Sequence, residues 1–256
     1  MKGKSDLHSR SKATRMPKDH PRYTSLKERE ALLEGYERGI TALAGLIAHG
    51  RGEAFDYLLG EKTTLEGERA IKTSAAALLL AKKPVISVNG NTAALCPEAL
   101  IELSEEASAK LEINLFYHNE ERIRKIEKIL LDKGASDILG IMQEKEIRGL
   151  SSERRKVSSD GIFNSDAVLV PLEDGDRTEA LVKMGKNVIA IDLNPLSRTS
   201  QTAKITIVDN VTRAVPKLVE SVKELKKLGR GELMDILGRF DNKENLKDVI
   251  SRVRNL

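Results

Sequence analysis

The sequence has one cysteine and no tryptophan, and aromatic residues make up 3% of its 256 positions. A lone Cys96 leaves no intramolecular disulfide framework, argues against a cysteine-based metal centre, and suits a reducing cytoplasm. So few aromatics provide few stacking platforms for single-stranded nucleic acid. The longest apolar run, from Ala75 to Ala81, is far too short to span a bilayer. The basic N-terminus lacks the apolar stretch of a signal peptide, so export is not expected. Familiar nucleotide and catalytic signatures are missing as well. No G-x-G-x-x-G follows the first strand, no G-x-S-x-G elbow occurs, and no histidines stand in pairs at metal-ligand spacing. Gly45 to Gly52 has the glycine spacing of a phosphate loop. However, Arg51 and Gly52 replace the required Lys and Ser/Thr, and a helix rather than a strand precedes it.

The formal net charge is +4, and residues 1–22 carry seven Lys/Arg against two Asp. The rest of the chain is therefore nearly neutral, which argues against a globular nucleic-acid-binding face. The first 22 residues read as a flexible basic tail. Ser25, with Glu28 in capping-box position, starts a helix that the apolar spacing carries to about Ile47. A short helix over Ala54 to Leu58 and another from Thr64 to Leu80 complete an N-terminal helical segment, 23–82, packed on the core. Tyr36 and Phe55 read as core residues.

From there short β-rich runs alternate with helices. Strands are expected at Pro84–Val88, Lys110–Phe116, Asp137–Ile141, Asp166–Pro171, Asn187–Ile191 and Lys204–Val208. Helices are expected at Pro97–Ala109, Glu120–Lys133, Arg177–Met184 and Asn210–Leu228. Alternation of this kind implies right-handed crossovers and a largely parallel sheet with helices on both faces, a Rossmann-like α/β core over 83–228. A polar, basic excursion over 142–163 reads as a mobile loop over the site. Two helices, Glu232–Phe240 and Asn245–Val253, close the chain within 229–256.

Ligands of open parallel sheets bind outside the carboxyl ends of the strands. Polar residues collect there: Asn89-Gly90-Asn91-Thr92, Tyr117-His118-Asn119, Glu173-Asp174-Gly175-Asp176-Arg177-Thr178, Asp192 to Thr199, and Asp209 to Arg213. Asn89, Thr178 and Asp209 equally suit helix caps, and Gly90 and Gly175 suit tight turns. Together they make an anion site, with arginines Arg51, Arg177 and Arg198 as charge-assisted donors. The stretch Ala48-His49-Gly50-Arg51-Gly52-Glu53 reads as part of that site, its glycines letting backbone N–H groups approach a ligand. His49 is either a packed, helix-terminal histidine or a site residue; Cys96 reads as a small buried residue.

At these residues the chain resembles the archaeal 4-phosphopantoate–β-alanine ligase family, also called archaeal phosphopantothenate synthetases. The resemblance rests on His20-Pro21-Arg22-Tyr23, Ala48 to Leu58, Ser87 to Asn91, Val170 to Ala180, Asp192 to Arg198 and Val208-Asp209-Asn210. It implies a Rossmann-like homodimer that uses ATP and Mg²⁺ in coenzyme A biosynthesis. Such a ligase joins 4-phosphopantoate to β-alanine and releases AMP and diphosphate through a phosphopantoyl adenylate. It implies ATP contacts at Arg29, Arg51, Asp192, Leu193, Asn194, Arg198, Thr199, Asn210 and Val211. With it come expected roles for Asn89, Asn91, Asp176 and Arg177 on the acid substrate. His49, Glu53 and Arg177 are expected to be catalytic, and Asp174 to be a Mg²⁺ ligand, with Asp176 and Glu53 as alternatives. No nucleic acid and no membrane is expected as a partner. Two other readings stay open: a different AMP-forming ligase or nucleotidyltransferase, and a nucleotide- or nucleic-acid-binding protein without catalysis.

Overall fold

The computed structural model of the chain describes residues 17–20, 22–172 and 174–255, so most of the expected basic tail lies outside the described residues. Three helices come first: α1 (Tyr23–Glu37), α2 (Leu43–Leu58) and α3 (Leu65–Leu80). Then follow β1 (Pro84–Val88), α4 (Gly90–Leu95), α5 (Pro97–Glu106), β2 (Lys110–Ile113), α6 (Glu120–Asp132) and β3 (Ile138–Leu139). A small hairpin, β4 (Lys145–Glu146) and β5 (Lys156–Val157), precedes β6 (Ala167–Pro171), α7 (Gly175–Lys183), β7 (Asn187–Ile191), α8 (Arg198–Thr202) and β8 (Ile205–Ile207). Helices α9 (Val211–Leu225), α10 (Arg230–Gly238) and α11 (Asn242–Arg254) end the chain.

Six of the strands form one parallel sheet in the order β3-β2-β1-β6-β7-β8. In register, Val88 lies beside Ile113 and Ile86 beside Leu169. The winding therefore leaves β1 in one direction through β2 and β3, and in the other through β6, β7 and β8. The crevice between the carboxyl ends of β1 and β6 is the reversal point where doubly wound sheets bind ligands.

Both faces of the sheet are buried, which is why β1 and β6 read as unbroken apolar runs. Alternation sorts their side chains. Ile86, Val88, Leu169, Ile189 and Ile207 join the cluster built by α3, α5, α6 and α9. Val85, Val168, Val170, Val188 and Ala190 face the other way, onto Leu181 of α7 and onto Ile147, Leu150, Val157 and Ile162. The last four belong to the 142–163 excursion, which is therefore packed on the sheet rather than lying free over the site, and it reaches the cavity at Arg154. Its apolar residues, spaced among basic ones, are what bind it down.

The N-terminal helix expected from Ser25 to Ile47 is two helices. At Gly39 the backbone turns left-handed (φ 72°), and the N–H groups of Ile40 and Thr41 return to the Gly35 carbonyl at 2.7 and 3.1 Å. That is how a glycine closes a helix. The apolar spacing runs through this break, so the pattern alone conceals it. Ser25 is no cap either: α1 starts ahead of it at Tyr23, and its hydroxyl bonds the Glu53 carboxylate of α2. Tyr36, expected in the core, is about half exposed, whereas Phe55 is partly buried against Leu59, Leu193 and Val208. No helix among the described residues is long and apolar enough to cross a membrane.

Candidate active site

A cavity of about 590 Å³ opens over the reversal point. Its floor is made by the segments that leave the strands. After β1, Asn89 caps α4 by accepting the Thr92 N–H at 3.1 Å, and its amide donates to the Pro171 carbonyl at 2.9 Å. One side chain thus ties the ends of β1 and β6 together beneath the crevice. Asn91 donates to the Gly45 carbonyl at 2.8 Å and so pins α4 to α2. After β6, Asp174 caps α7 by accepting the Arg177 N–H at 2.9 Å. After β7, half-buried Asp192 accepts the Asn194 N–H at 2.9 Å and the Ser197 hydroxyl, and Ser197 in turn caps α8. Burial raises the Asp192 pKa, against the pull of Ser197, Asn194 and the Arg51 charge.

Helix α2 supplies the roof through His49, Arg51, Gly52 and Phe55. Here the structure corrects the expected role of the glycines. Gly50 and Gly52 lie inside α2, where main-chain N–H groups are committed to helical carbonyls and are not open to a ligand. Gly52 faces Leu193, and a Cβ there would lie 3.4 Å from Leu193 Cδ1, an ordinary contact distance. Arg51 alone of that tripeptide can meet an anion.

His49 is 9% exposed, with Nε2 3.9 Å from the Glu28 carboxylate and no hydrogen-bond partner on that atom. Burial lowers its pKa below the usual histidine value, more than Glu28 and Glu53 raise it. Its surroundings therefore favour the neutral imidazole. Glu53 sits beside the cavity rather than in its wall, accepting bonds from Arg22, Arg29 and Ser25. Burial pulls its pKa up, but Arg29, Ser25 and Arg22 outweigh this and hold it low. A carboxylate so held is a poor proton acceptor.

The expected site residues divide into three groups. Asn89, Asn91, Asp174, Arg51, Asp192, Leu193, Asn194, Arg198, Thr199 and His49 share the cavity wall. Arg29, Asn210 and Val211 stand outside it, at the junction of α1 and α2 with α9. There Asn210 donates to Glu28 at 2.9 Å and to Asp56 at 3.2 Å, while Arg213 bridges Asp56 and Asp209. Val211 is buried and Arg29 is paired with Glu53. Arg177 and Asp176 form the third group. Arg177 is fully buried below the floor, its guanidinium donating to the Ser87 hydroxyl at 3.1 Å and facing Glu112 and Asp174. Asp176 is exposed and paired with Arg198.

Sequence reasoning missed Glu112, Arg122 and the way Arg154 is delivered. Glu112 is fully buried on β2 and accepts the N–H groups of Ser158 at 2.9 Å and Ile162 at 2.6 Å. Asn114, just beyond, donates to the carbonyls of Arg154 and Lys156. These two side chains lash the excursion to the sheet and bring buried Arg154 into the cavity wall, 3.6 Å from Asp174. Burial, then the neighbouring Arg177 charge, lowers the Arg154 pKa against the pull of Asp174, yet it remains a cation at pH 7. A lone Glu within an apolar strand was the visible signal. Cys96 is buried, which pushes its thiol up to about 12 and fits a packing role. His118 does not line the cavity.

Comparison with known proteins gives the family. Over 240 residues the chain is 57% identical to a Thermococcus kodakarensis protein named 4-phosphopantoate–β-alanine ligase, covering 93% of this chain and 92% of that one. Proteins of the same name from Thermococcus onnurineus and Methanosarcina mazei are 56% and 50% identical over 241 residues each. These cover 94% of this chain and 92% and 95% of theirs. Residues 66–256 match the family model described as phosphopantothenate/pantothenate synthetase. The chain belongs to that family.

Proposed function

We propose that this protein is an ATP-dependent ligase that condenses 4-phosphopantoate with β-alanine, releasing AMP and diphosphate, in coenzyme A biosynthesis in the cytoplasm. What carries the reading is the identity of half or more of all residues, over nine-tenths of both chains, with proteins named for this reaction. The cavity supports it: four arginines, Arg51, Arg122, Arg154 and Arg198, surround one space at the reversal point of the sheet. The substrates bring a phosphomonoester, two carboxylates and a triphosphate, so a cationic pocket is what they need.

The pantoate carboxylate oxygen attacks the α-phosphorus of ATP and diphosphate leaves. The amine of β-alanine then attacks the acyl carbon of the phosphopantoyl adenylate, and AMP departs. Neither step needs a covalent bond to the protein; positioning and charge neutralisation dominate. Arg51, Asp192, Leu193, Asn194, Arg198 and Thr199 hold the nucleotide. Arg29, Asn210 and Val211 serve it indirectly, by fixing α1 and α2 over the β7–β8 edge. Asn89 and Asn91 orient the acid, and Arg177 shapes the floor from below. Asp176 keeps Arg198 in place until a phosphate takes it.

Asp174 is the carboxylate suited to Mg²⁺. Among the described residues no group of three or more metal-ligating side chains occurs, which fits an ion that keeps its waters and is held mainly by phosphates. Such an ion would neutralise charge on the triphosphate.

β-Alanine must lose a proton to attack, and His49 is the acceptor: burial favours its neutral form, and its buried Nε2 has no hydrogen-bond partner. Because its pKa lies below 6.5, the rate should rise with pH through that lower value and then level. His49→Gln should lower kcat and abolish that acid limb; an unchanged pH–rate profile would remove His49 from the mechanism. Arg51→Ala should raise KM for ATP at least tenfold, the loss of one charge-assisted contact, measured as AMP and diphosphate release. Wild-type protein that forms no AMP from this acid and amine would refute the ligase itself.

The protein is a homodimer in this reading. Leu43, Ile47, Ala54, Tyr57 and Leu58 make an outward apolar stripe along α2, and Leu33 of α1 and Leu65 of α3 are exposed too. A stripe of this kind is characteristic of a protein interface. Sedimentation that finds only monomer at micromolar concentration would exclude it.

A further inference from the structure

Four guanidinium groups border the cavity, and their surroundings differ. Arg198 is paired with Asp176 and Glu179, and Arg154 faces Asp174. Arg51 lies in the field of Asp192. Arg122, like Arg51, makes no side-chain hydrogen bond or ion pair among the described residues; its backbone N–H is bonded to the capping Asn119 side chain at 2.8 Å. The nearest acid in its helix, Glu121, is taken by Lys125 at 2.6 Å. A half-buried cation left unpaired beside a cavity is a recognition element awaiting an anion.

Its position says which anion. Arg122 stands in the first turn of α6, over the end of β2. Arg51, Asp192 and Arg198 gather over the end of β7, three strands away in the order β2-β1-β6-β7. Three strand spacings amount to about 14 Å, a gap that the acid, five bonds from carboxyl carbon to phosphorus, bridges only together with the inward reach of the arginine side chains on both sides. The reacting carboxylate of the acid must lie against the α-phosphorus, on the β7 side. The far end of the same molecule then extends toward β2, and that far end carries the phosphate. Between the two, Ile40, Leu115, Phe116 and Leu172 line the wall, an apolar surface for the branched carbon skeleton.

We propose that Arg122 is the specificity-determining residue for the acid: its guanidinium binds the 4-phosphate and selects the phosphomonoester over unphosphorylated pantoate. This rests on the ligase reading above. Arg154, already facing Asp174, stands as the second cation on that side.

The test uses the full-length chain, wild type, Arg122→Gln and Arg122→Lys, with folding checked by circular dichroism. Calorimetric titration with 4-phosphopantoate and with pantoate is made in the presence of a non-hydrolysable ATP analogue. Turnover assays give KM for ATP and β-alanine. Arg122→Gln should weaken 4-phosphopantoate binding by about 10- to 100-fold, the loss of a charge-assisted contact. Pantoate binding, and KM for ATP and β-alanine, should stay within about twofold, and Arg122→Lys should recover part of the loss. A structural lesion would weaken both acids alike and would overturn the proposal. So would unchanged 4-phosphopantoate binding, or a rise confined to KM for β-alanine, which would assign Arg122 to the amino-acid carboxylate. Wild-type protein that binds neither acid and forms no AMP would instead refute the ligase reading.

Discussion

Replacing Arg177 with methionine is expected to destabilise the protein by about 3–5 kcal/mol and lower its melting temperature by roughly 6–20 °C. Methionine matches the length of the stem but leaves three groups stranded. Glu112, fully buried on β2, loses its nearest positive charge; Asp174 loses one of two guanidinium neighbours; and the Ser87 hydroxyl loses its donor. Removing one member of a buried ionic set costs more than the set contributes, because the remainder stays charged in a poor solvent. The pH dependence identifies the cause. Burial already lifts the Glu112 carboxyl to about 6, against the Ser158 and Ile162 N–H bonds and the Arg177 charge. Its folded pKa lies above the unfolded value of 4.5, so the wild type gains stability from this group as pH falls from about 6 to 4.5. Without Arg177 the folded value rises further. The part of the deficit due to the Glu112 charge is then largest near pH 8 and fades as pH falls below about 6, where Glu112 takes up its proton in both proteins. Thermal melts at pH 8 and 5.5 measure this directly. In addition, Glu112→Gln combined with Arg177→Met should be less destabilising than the two single changes added together. A melting temperature within about 2 °C of wild type at pH 8 would mean that Glu112 finds compensation elsewhere.

This pair also marks how far the sequence reaches. Strands Pro84–Val88 and Asn187–Ile191 coincide with their apolar runs, because a strand buried on both faces has no reason to alternate. Asn89 and Asp174 were recognisable because polar residues at strand ends both cap the next helix and border the crevice, and Asp192 because it stands at such a strand end. What a linear pattern cannot show is which distant group a side chain will meet. Ser25 and Glu28 have the spacing of a capping box, yet Ser25 is drawn to Glu53, and Glu28 to Asn210 and Thr212 across more than 180 residues. Tertiary partners displace the local bond. Arg122 was hidden for a related reason: the strand-end rule identifies the loops of a site but not the helices that lean over it. The same holds for α2, where the glycines of Gly50-Arg51-Gly52 suggested backbone N–H groups close to a ligand and lie inside a helical roof instead.

How tightly that roof is held follows from Gly90, and Gly90→Ala is expected to reduce kcat/KM by about a hundredfold. Gly90 is the first residue of α4, and a methyl group there would overlap the Ile40 carbonyl oxygen and approach Thr41 Cα to 3.3 Å. Both obstacles are backbone, so no rotamer change relieves them. Overpacking of this sort costs about 1–3 kcal/mol when the surroundings shift, and only two segments can shift. Moving α4 displaces Asn91 and strains its bond to Gly45, together with the Asn89 link to Pro171. Moving the α1–α2 connection instead lifts α2, and with it Arg51 and His49, off the cavity. Thr41 resists that movement through its bond to the Leu32 carbonyl at 3.0 Å. Either way, reacting groups from opposite sides of the cavity separate, and displacements near 1 Å are enough for a hundredfold loss. The melting temperature should fall by only about 2–12 °C, the equivalent of that packing cost. Activity therefore suffers far more than stability. Gly231→Ala in α10, where a Cβ meets nothing within 4 Å, is the control and should leave kcat/KM unchanged. Equal kinetics for Gly90→Ala and wild type would show that the roof can rise without loss, and that the spacing between α2 and the strand ends is not what aligns the substrates.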